Sequence, residues 1–368
     1  MRVGVPKEIK KQEHRVGLIP SSVKEFVQHG HQVMVEKGAG AGIGFDDESY
    51  QSAGAVVVAT PAEIFAKNDL IIKVKEPQAQ ECQMLREGQV LFTYLHLAAD
   101  RPQAEALIKS KCVAIAYETV TGANGRGLPL LAPMSEVAGR LSVQVGAHYL
   151  MKHMGGEGLL LGGVPGVPAA RVLILGGGVA GFNAARMAVG MGARVTILDK
   201  SPDRLRELDD HFVGHAEILY STLDAVENLL RKSDLVIGAV LVPGASAPRL
   251  VTRAMLATMK QGSVLVDIAI DQGGCFETSK ATTHGDPVYS VDGITHYCVA
   301  NMPGAVPKTS AMALNQAILP YALKLADMGW EKALASDSGF AAGLNVCAGK
   351  IMHQGVAQSL DFPFVTGA

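Results

Sequence analysis

Three side chains able to bind an anion or move a proton stand where apolar segments turn polar. Arg15 lies in the loop "KKQEHRVGLIP", Lys75 closes the run "LIIKVK", and His96 closes "VLFTYLHL". A guanidinium can hold a carboxylate by paired hydrogen bonds, an ammonium can polarise a carbonyl, and an imidazole transfers protons near neutral pH. Each residue alone is more simply explained as an exposed or structural side chain. Together they are candidates for a substrate site.

The surrounding elements must bring these residues together. Short β-branched runs alternate with helical patterns along the whole chain, which predicts parallel sheets built from βαβ units. In a parallel sheet the carboxyl ends of the strands share one edge. We therefore predict that Lys75 and His96 each end a strand and converge at that edge.

The most specific motif is "RVLILGGGVAGFNAARMAVGMGARVTILD". A strand runs into G-x-G-x-x-G at Gly176, Gly178 and Gly181, a helix follows, and a second strand ends at Asp199, 18 residues after the last glycine. The glycines permit a tight turn, close approach of a pyrophosphate and close helix packing. Asp199 would accept hydrogen bonds from ribose hydroxyls and repel a 2′-phosphate. The motif predicts NAD in preference to NADP, although the nearby Arg204 counts against that preference.

Two long helical patterns, 134–154 and one from Lys308 to Gly329, flank the alternation that contains the glycine motif. Ser135 is the predicted N-cap of the first. We predict an α/β fold of two doubly wound Rossmann-like domains with parallel sheets, linked by these helices. Residues 1–133 and 305–368 form a substrate-binding domain, and 134–304 form the NAD-binding domain. A cleft between the domains is the expected place for hydride donor and acceptor to meet.

Composition narrows the class of protein. The net charge of −2 over 368 residues argues against nucleic acid. The first residues lack the apolar core of a signal peptide, and no window reaches the roughly 18 uncharged apolar residues of a membrane span. Five cysteines without a C-x-x-C pair favour reduced thiols in a soluble, cytoplasmic protein. No metal site is expected.

The chain resembles the alanine dehydrogenases over essentially its full length. The matching stretches are "MRVGVPKEIKKQEHRVGLIP", "KVKEP", "TYLHLAAD", "PMSEVAGR", "LGGGVAG", "VDIAIDQGG" and "VANMPGAVPKTS". What the resemblance implies is NAD-dependent interconversion of L-alanine with pyruvate and ammonium. It also implies a homohexamer.

The resemblance carries site roles to matching positions. It implies that Arg15 and Lys75 bind substrate and that His96 and Asp271 are catalytic. It also implies that Tyr94 and Met134 line the small pocket around the methyl group of the substrate. Besides the three motif glycines, the implied cofactor positions are Ser135, Val179, Ala180, Asp199, Arg204, Ser221, Val240, Leu241, Ile268, Asp271, Lys280, Val299, Asn301 and Met302.

Other functions remain open at this point. The soluble NAD(H)-binding domain of proton-translocating transhydrogenase shares the fold and the opening stretch, but needs no proton shuttle for a substrate. Dehydrogenases of lysine or saccharopine-like substrates need space for a long charged side chain. A non-catalytic NAD-binding protein would not need the complete set of Arg15, Lys75, His96 and Asp271. That set favours a small-substrate enzyme.

Overall fold

The computed structural model describes residues 1–240 and 247–365. The chain divides into two compact units, one formed by Met1–Met134 with Val306–Ala368 and the other by Ser135–Ala305. At both crossings these bounds differ by one residue from the boundaries predicted from the sequence. Each unit contains one sheet.

Within the described ranges the strands are, in chain order, β1 (Arg2–Val5), β2 (Gln32–Glu36), β3 (Val56–Val58), β4 (Leu70–Ile72), β5 (Val90–Thr93), β6 (Val113–Ala116), β7 (Arg171–Leu175), β8 (Arg194–Asp199), β9 (Ala216–Tyr220), β10 (Leu235–Gly238), β11 (Val264–Asp267), β12 (Val288–Val291), β13 (Ile294–Tyr297), β14 (Leu344–Cys347) and β15 (Lys350–Ile351). The α-helices there are α1 (Pro20–Gln28), α2 (Asp47–Ser52), α3 (Pro61–Lys67), α4 (Ala79–Cys82), α5 (Arg101–Ser110), α6 (Ala132–Tyr149), α7 (Val179–Gly190), α8 (Pro202–Phe212), α9 (Leu223–Leu230), α10 (Arg253–Leu256), α11 (Pro307–Met328), α12 (Trp330–Ala335), α13 (Ser338–Ala341) and α14 (Gln354–Leu360). Short 3₁₀ helices cover Ala41–Ile43, Leu97–Ala99, Tyr117–Thr119, Lys152–Met154, Ile268–Gln272 and Met302–Ala305.

The sheet of the first unit has the order β15-β14-β6-β5-β4-β1-β2-β3. Helices cover both faces, so the central strands are apolar throughout rather than alternating. Successive residues of β5 enter opposite halves of the core: Phe92 packs in the cluster that contains Ile318 of α11, and Leu91 in the cluster that contains Leu107 of α5. The strand order reverses between β1 and β4, and ligands of doubly wound sheets bind at the carboxyl edge beside such a reversal.

The sheet of the second unit has the order β12-β13-β11-β10-β7-β8-β9, with the reversal between β7 and β10. The predicted parallel pairing is right for six neighbouring strands in each sheet. It is wrong at one edge of each, where β12 and the pair β14–β15 run antiparallel to their neighbours. Two-residue turns at Asp292-Gly293 and Ala348-Gly349 make β12–β13 and β14–β15 into hairpins, because both residues of each turn have positive φ, as a type I′ hairpin requires.

The two long helices lie where the sequence predicts them. Helix α6 begins three residues before Ser135, so Ser135 lies in its first turn and is not the N-cap that we predicted. Helix α11 continues through Pro320 and ends at Gly329, whose φ of 78° breaks the helical geometry. Among the described residues, neither these helices nor any other combine the length and apolar character that crossing a bilayer demands.

Candidate functional site

The three candidate substrate-site residues follow neighbouring strands of the first unit. Arg15 lies in the loop after β1, Lys75 follows β4, and His96 follows β5, all at the carboxyl edge beside the reversal of strand order. The predicted strand ends were wrong by three residues, because β4 ends at Ile72 and β5 at Thr93. The apolar runs continue past the last paired residues of each strand, and the candidate side chains lie on the loops that follow.

Arg15 is held inside the first unit by an acid that sequence reasoning missed. Glu13 Oε1 accepts from Arg15 Nε at 2.7 Å, and Glu13 Oε2 accepts from Nη2 at 2.6 Å, with both side chains about 1% exposed. Nη1 lies 3.2 Å from the Met134 sulfur. Burial opposes the charge of Arg15, but the hydrogen bonds and charge of Glu13 outweigh it and raise the pKa of Arg15. The guanidinium is therefore a fixed cation.

A buried triad of charges supports Lys75. Lys73 Nζ donates to Glu8 Oε2 at 3.0 Å and to Glu81 Oε1 at 2.8 Å, and all three side chains are almost completely buried. The other oxygen of Glu8 accepts from the backbone N–H groups of Val74, at 2.7 Å, and Lys75, at 3.2 Å. This oxygen fixes the chain where β4 gives way to Lys75.

Tyr94 and His96 form an aromatic pair on the neighbouring loop. Their rings are stacked with centroids 5.8 Å apart and planes 8° apart. The Tyr94 hydroxyl donates to the Leu130 carbonyl at 2.5 Å, and burial raises the pKa of Tyr94. His96 is exposed, whereas Tyr94 is buried. The first unit thus presents an exposed imidazole beside the buried Tyr94, with Arg15 close enough to Tyr94 for an electrostatic effect on its pKa.

The glycine loop of the second unit has the shape of a pyrophosphate cradle. Gly176 has a φ of 101°, and a Cβ on Gly181 would lie 1.8 Å from the Gly176 carbonyl oxygen. A Cβ on Gly178 would meet nothing within 4 Å, so the space before the first turn of α7 is open. Val179 and Ala180 begin that helix, and its N-terminal N–H groups and dipole favour an anion there. The loop fits a dinucleotide.

Asp199 ends β8 beside this loop, as predicted. Its two carboxylate oxygens accept from the backbone N–H groups of Gly177, at 2.7 Å, and Ser201, at 2.8 Å. Each oxygen has a second lone pair that can accept from a ribose hydroxyl. Arg204 Nε donates to the Gly177 carbonyl at 2.7 Å and Nη1 to Glu207 at 2.5 Å. These two hydrogen bonds hold the guanidinium of Arg204 against the glycine loop, which it supports. The carboxylate of Asp199 keeps the site suited to NAD, because it would repel a 2′-phosphate.

Most other predicted cofactor positions follow strands at the same carboxyl edge of the second sheet. They are Ser221 after β9, Val240 after β10, Ile268 and Asp271 after β11, and Val299, Asn301 and Met302 after β13. Val240 contacts the loop closely enough that a Cβ on Gly176 would lie 2.9 Å from its Cγ2.

Three positions lie apart from these strand ends. Ser135 is one turn of α6 before Gly139, where an added Cβ would lie 2.1 Å from the Ala180 carbonyl, so α6 packs against the start of α7. Lys280 is exposed, and its backbone N–H donates to the Tyr289 hydroxyl at 2.7 Å. Leu241 falls outside the described residues.

The two aspartates of "DIAID" differ in their surroundings. Asp267 is buried and accepts from the N–H of Ala269 at 3.1 Å, from the N–H of Cys275 at 2.8 Å and from the Ser279 hydroxyl. Its bonds hold the loop together. Asp271 is exposed in the 3₁₀ helix that follows β11. Of the two, Asp271 has the accessibility that a catalytic carboxylate needs.

One group of side chains in the described parts of the chain has the donor types of a metal site. His29, His31 and Asp327 place one ligand atom each within 4.8 Å of one another. Asp327 accepts from His31 at 2.7 Å and from His29 at 3.1 Å, so its hydrogen bonds to the two histidines hold the group together.

Comparison with known proteins places the whole chain in one family. Residues 4–138 match the family model described as "Alanine dehydrogenase/PNT, N-terminal domain", and residues 142–354 match "Alanine dehydrogenase/PNT, C-terminal domain". The alanine dehydrogenase of Halomonas elongata is 58% identical over 368 residues, which are 100% of this chain and 99% of that protein.

Comparison with solved structures leads to the same family. An L-alanine dehydrogenase matches with a TM-score of 0.95 and 52% identity, over 98% of this chain and 99% of that one. A transhydrogenase from Sinorhizobium meliloti matches with a TM-score of 0.82 and 26% identity, over 96% of this chain and 100% of that one. The chain belongs to the alanine dehydrogenase/PNT family.

Proposed function

We propose that this chain is an L-alanine dehydrogenase. It converts L-alanine, NAD⁺ and water reversibly into pyruvate, ammonium, NADH and a proton. The enzyme is an oxidoreductase that acts on a CH–NH₂ group and uses small molecules as substrates. We further propose that it works in the cytoplasm as a homohexamer.

One observation carries the proposal: the first unit collects a fixed cation and an exposed imidazole at the edge of its sheet. Arg15 contacts Met134, Tyr94 stacks on His96, and Lys75 follows the neighbouring strand. A domain that only passes hydride between two nucleotides needs no such set. The sequence identity of 58% to an alanine dehydrogenase, against 26% to a transhydrogenase, also supports an alanine dehydrogenase.

Arg15 would bind the substrate carboxylate with the part of its guanidinium that faces away from Glu13. Glu13 engages Nε and Nη2, and we expect the carboxylate to approach the guanidinium from the side of Nη1. The sulfur of Met134 lies at Nη1 in this structure. Methionine is flexible and weakly polar, so it can yield this position to the carboxylate and pack against the methyl group of alanine.

Lys75 and His96 would act on the reacting carbon and its substituents. Lys75 hydrogen-bonds the substrate carboxylate or the carbonyl oxygen of pyruvate, which makes C2 more electrophilic. His96 accepts a proton from water that adds to the imino acid and returns it as ammonia leaves. The role that we propose for Asp271 is to orient the attacking water or ammonia. NAD⁺, when bound, supplies the acceptor for the hydride that leaves C2 of L-alanine.

The test is an absorbance assay of the purified protein in both directions. L-Alanine with NAD⁺ is expected to produce NADH, and pyruvate with ammonium is expected to consume it. D-Alanine, NADP⁺, and pyruvate without ammonium are the controls and are expected to give little or no turnover. NADH binding without turnover in either direction would refute the proposal and favour a transhydrogenase-like or non-catalytic role.

A further inference from the structure

The backbone of His96 has a left-handed conformation that few residues other than glycine adopt. Its φ of 52° and ψ of 35° lie in the left-handed region, where the backbone of a residue with a Cβ is strained. The turn at His96 ends the extended chain after β5 and begins the 3₁₀ helix Leu97–Ala99. Some contact must therefore hold the backbone in this turn.

Glu118 supplies that contact. Its Oε1 accepts from the backbone N–H of His96 at 2.6 Å, and both of its carboxylate oxygens lie 3.2 Å from the N–H of Leu95. Two successive N–H groups directed at one anion form a backbone nest, which binds a carboxylate well. The carboxylate thus stabilises the strained turn directly.

The position of Glu118 is itself fixed. It lies in the 3₁₀ helix Tyr117–Thr119, directly after β6 and next to β5 in the sheet. The Tyr117 hydroxyl donates to the Lys73 carbonyl at 3.0 Å, and Asn345 Nδ2 donates to Thr119 Oγ1 at 2.8 Å. Glu118 therefore has firmly held residues on both sides.

We propose that Glu118 is a positioning residue that holds the imidazole of His96 in its catalytic orientation. This inference rests on the proposed function of His96. The turn leaves the ring exposed and parallel to the ring of Tyr94. Without the carboxylate, the turn relaxes toward conformations that histidine prefers, and the ring leaves this orientation. Glu118 acts through His96 and does not touch the substrate.

A double-mutant cycle tests the proposal. We expect Glu118→Ala to lower kcat for pyruvate amination about 10- to 100-fold, because small misplacements of a catalytic group are costly. Glu118→Gln keeps one acceptor oxygen and is expected to lose less. KM for NADH should stay unchanged in both. In a His96→Ala background, Glu118→Ala should cost less than about 2-fold, because residues that act as a unit are not additive. Equal losses in both backgrounds, or no loss in either, would overturn the proposal.

Hydrogen exchange gives a readout that does not depend on turnover. Glu118→Ala is expected to speed amide exchange in the peptide 91–100 and to leave the other peptides of the first unit unchanged. Glu105→Ala is the control, since Glu105 is exposed on α5 and forms an exposed ion pair with Arg101. Unchanged exchange at 91–100 would refute the contact. Faster exchange in an enzyme whose wild type lacks turnover would instead refute the proposed function.

Discussion

Replacing Lys73 by methionine should destabilise the first unit more than any exposed lysine can. Burial opposes the charge on Lys73, but Glu8 and Glu81 outweigh it and raise the pKa of Lys73, so the ammonium persists at neutral pH. Methionine has a similar length and no charge, and it leaves two carboxylates buried without their cation. Breaking a buried ion pair by removing one partner costs about 3–5 kcal/mol. Burial already raises the pKa of Glu8, so part of this cost will appear as proton uptake.

The loss is measurable by calorimetry. For a domain of this size, about 1 kcal/mol shifts Tm by roughly 2–4 °C, so Lys73→Met should lower the Tm of the first unit by roughly 6–20 °C. Lys67→Met is the matched control, because Lys67 is half exposed and pairs with Glu63 on the surface of α3. Solvent screens an exposed pair of this kind, so its loss should change Tm little. Equal Tm values for the two variants would show that the ion pairs of Lys73 with Glu8 and Glu81 do not stabilise the first unit.

Three further predictions concern the two units separately. Gly181→Ala places a methyl group 1.8 Å from the Gly176 carbonyl oxygen; a fluorescence titration should show at least a 10-fold loss of NADH affinity, and unchanged affinity would contradict the cradle. Burial lowers the pKa of His296 below its ordinary 6.5, so its contribution to stability is present above pH 6.5 and lost as the pH falls through the lower value of the folded state. Urea midpoints at pH 7.5 and 5.0 should therefore differ less for His296→Gln than for the wild type, and equal differences would refute this. His96→Ala should lower kcat roughly 10²- to 10⁴-fold with NADH binding retained, and near-normal kcat would exclude the role of His96 as a proton shuttle.

The sequence predicted best what depends on local geometry. The glycine loop and Asp199 lie as expected, because strand, turn, helix and strand follow one another within thirty residues and leave little choice. The ends of β4 and β5 were placed three residues too far, since apolar side chains continue beyond the last ladder pair. The "VDGI" hairpin was missed although Asp-Gly between β-branched residues is a signal for it.

The residues that sequence reasoning missed are buried acids. Glu8 and Glu13 stand in the highly charged stretch "KEIKKQEHR", which reads as a solvated loop. Glu118 stands alone after an apolar strand. Glu8 and Glu118 become important only when the fold brings them to distant partners, Glu8 to Lys73 and Glu118 to the turn at His96, whereas Glu13 pairs with the nearby Arg15 only because the fold buries the loop that carries both. No local pattern distinguishes these acids from surface glutamates.

The most direct test of the central claim follows the hydrogen on C2 of the substrate. L-[2-²H]Alanine is incubated with the enzyme and NAD⁺, and the products are analysed by mass spectrometry. We expect deuterated NADH and pyruvate in equal amounts, with none formed from the D-isomer. Pyruvate without deuterium in the NADH, or no pyruvate from an enzyme that binds NADH, would contradict it.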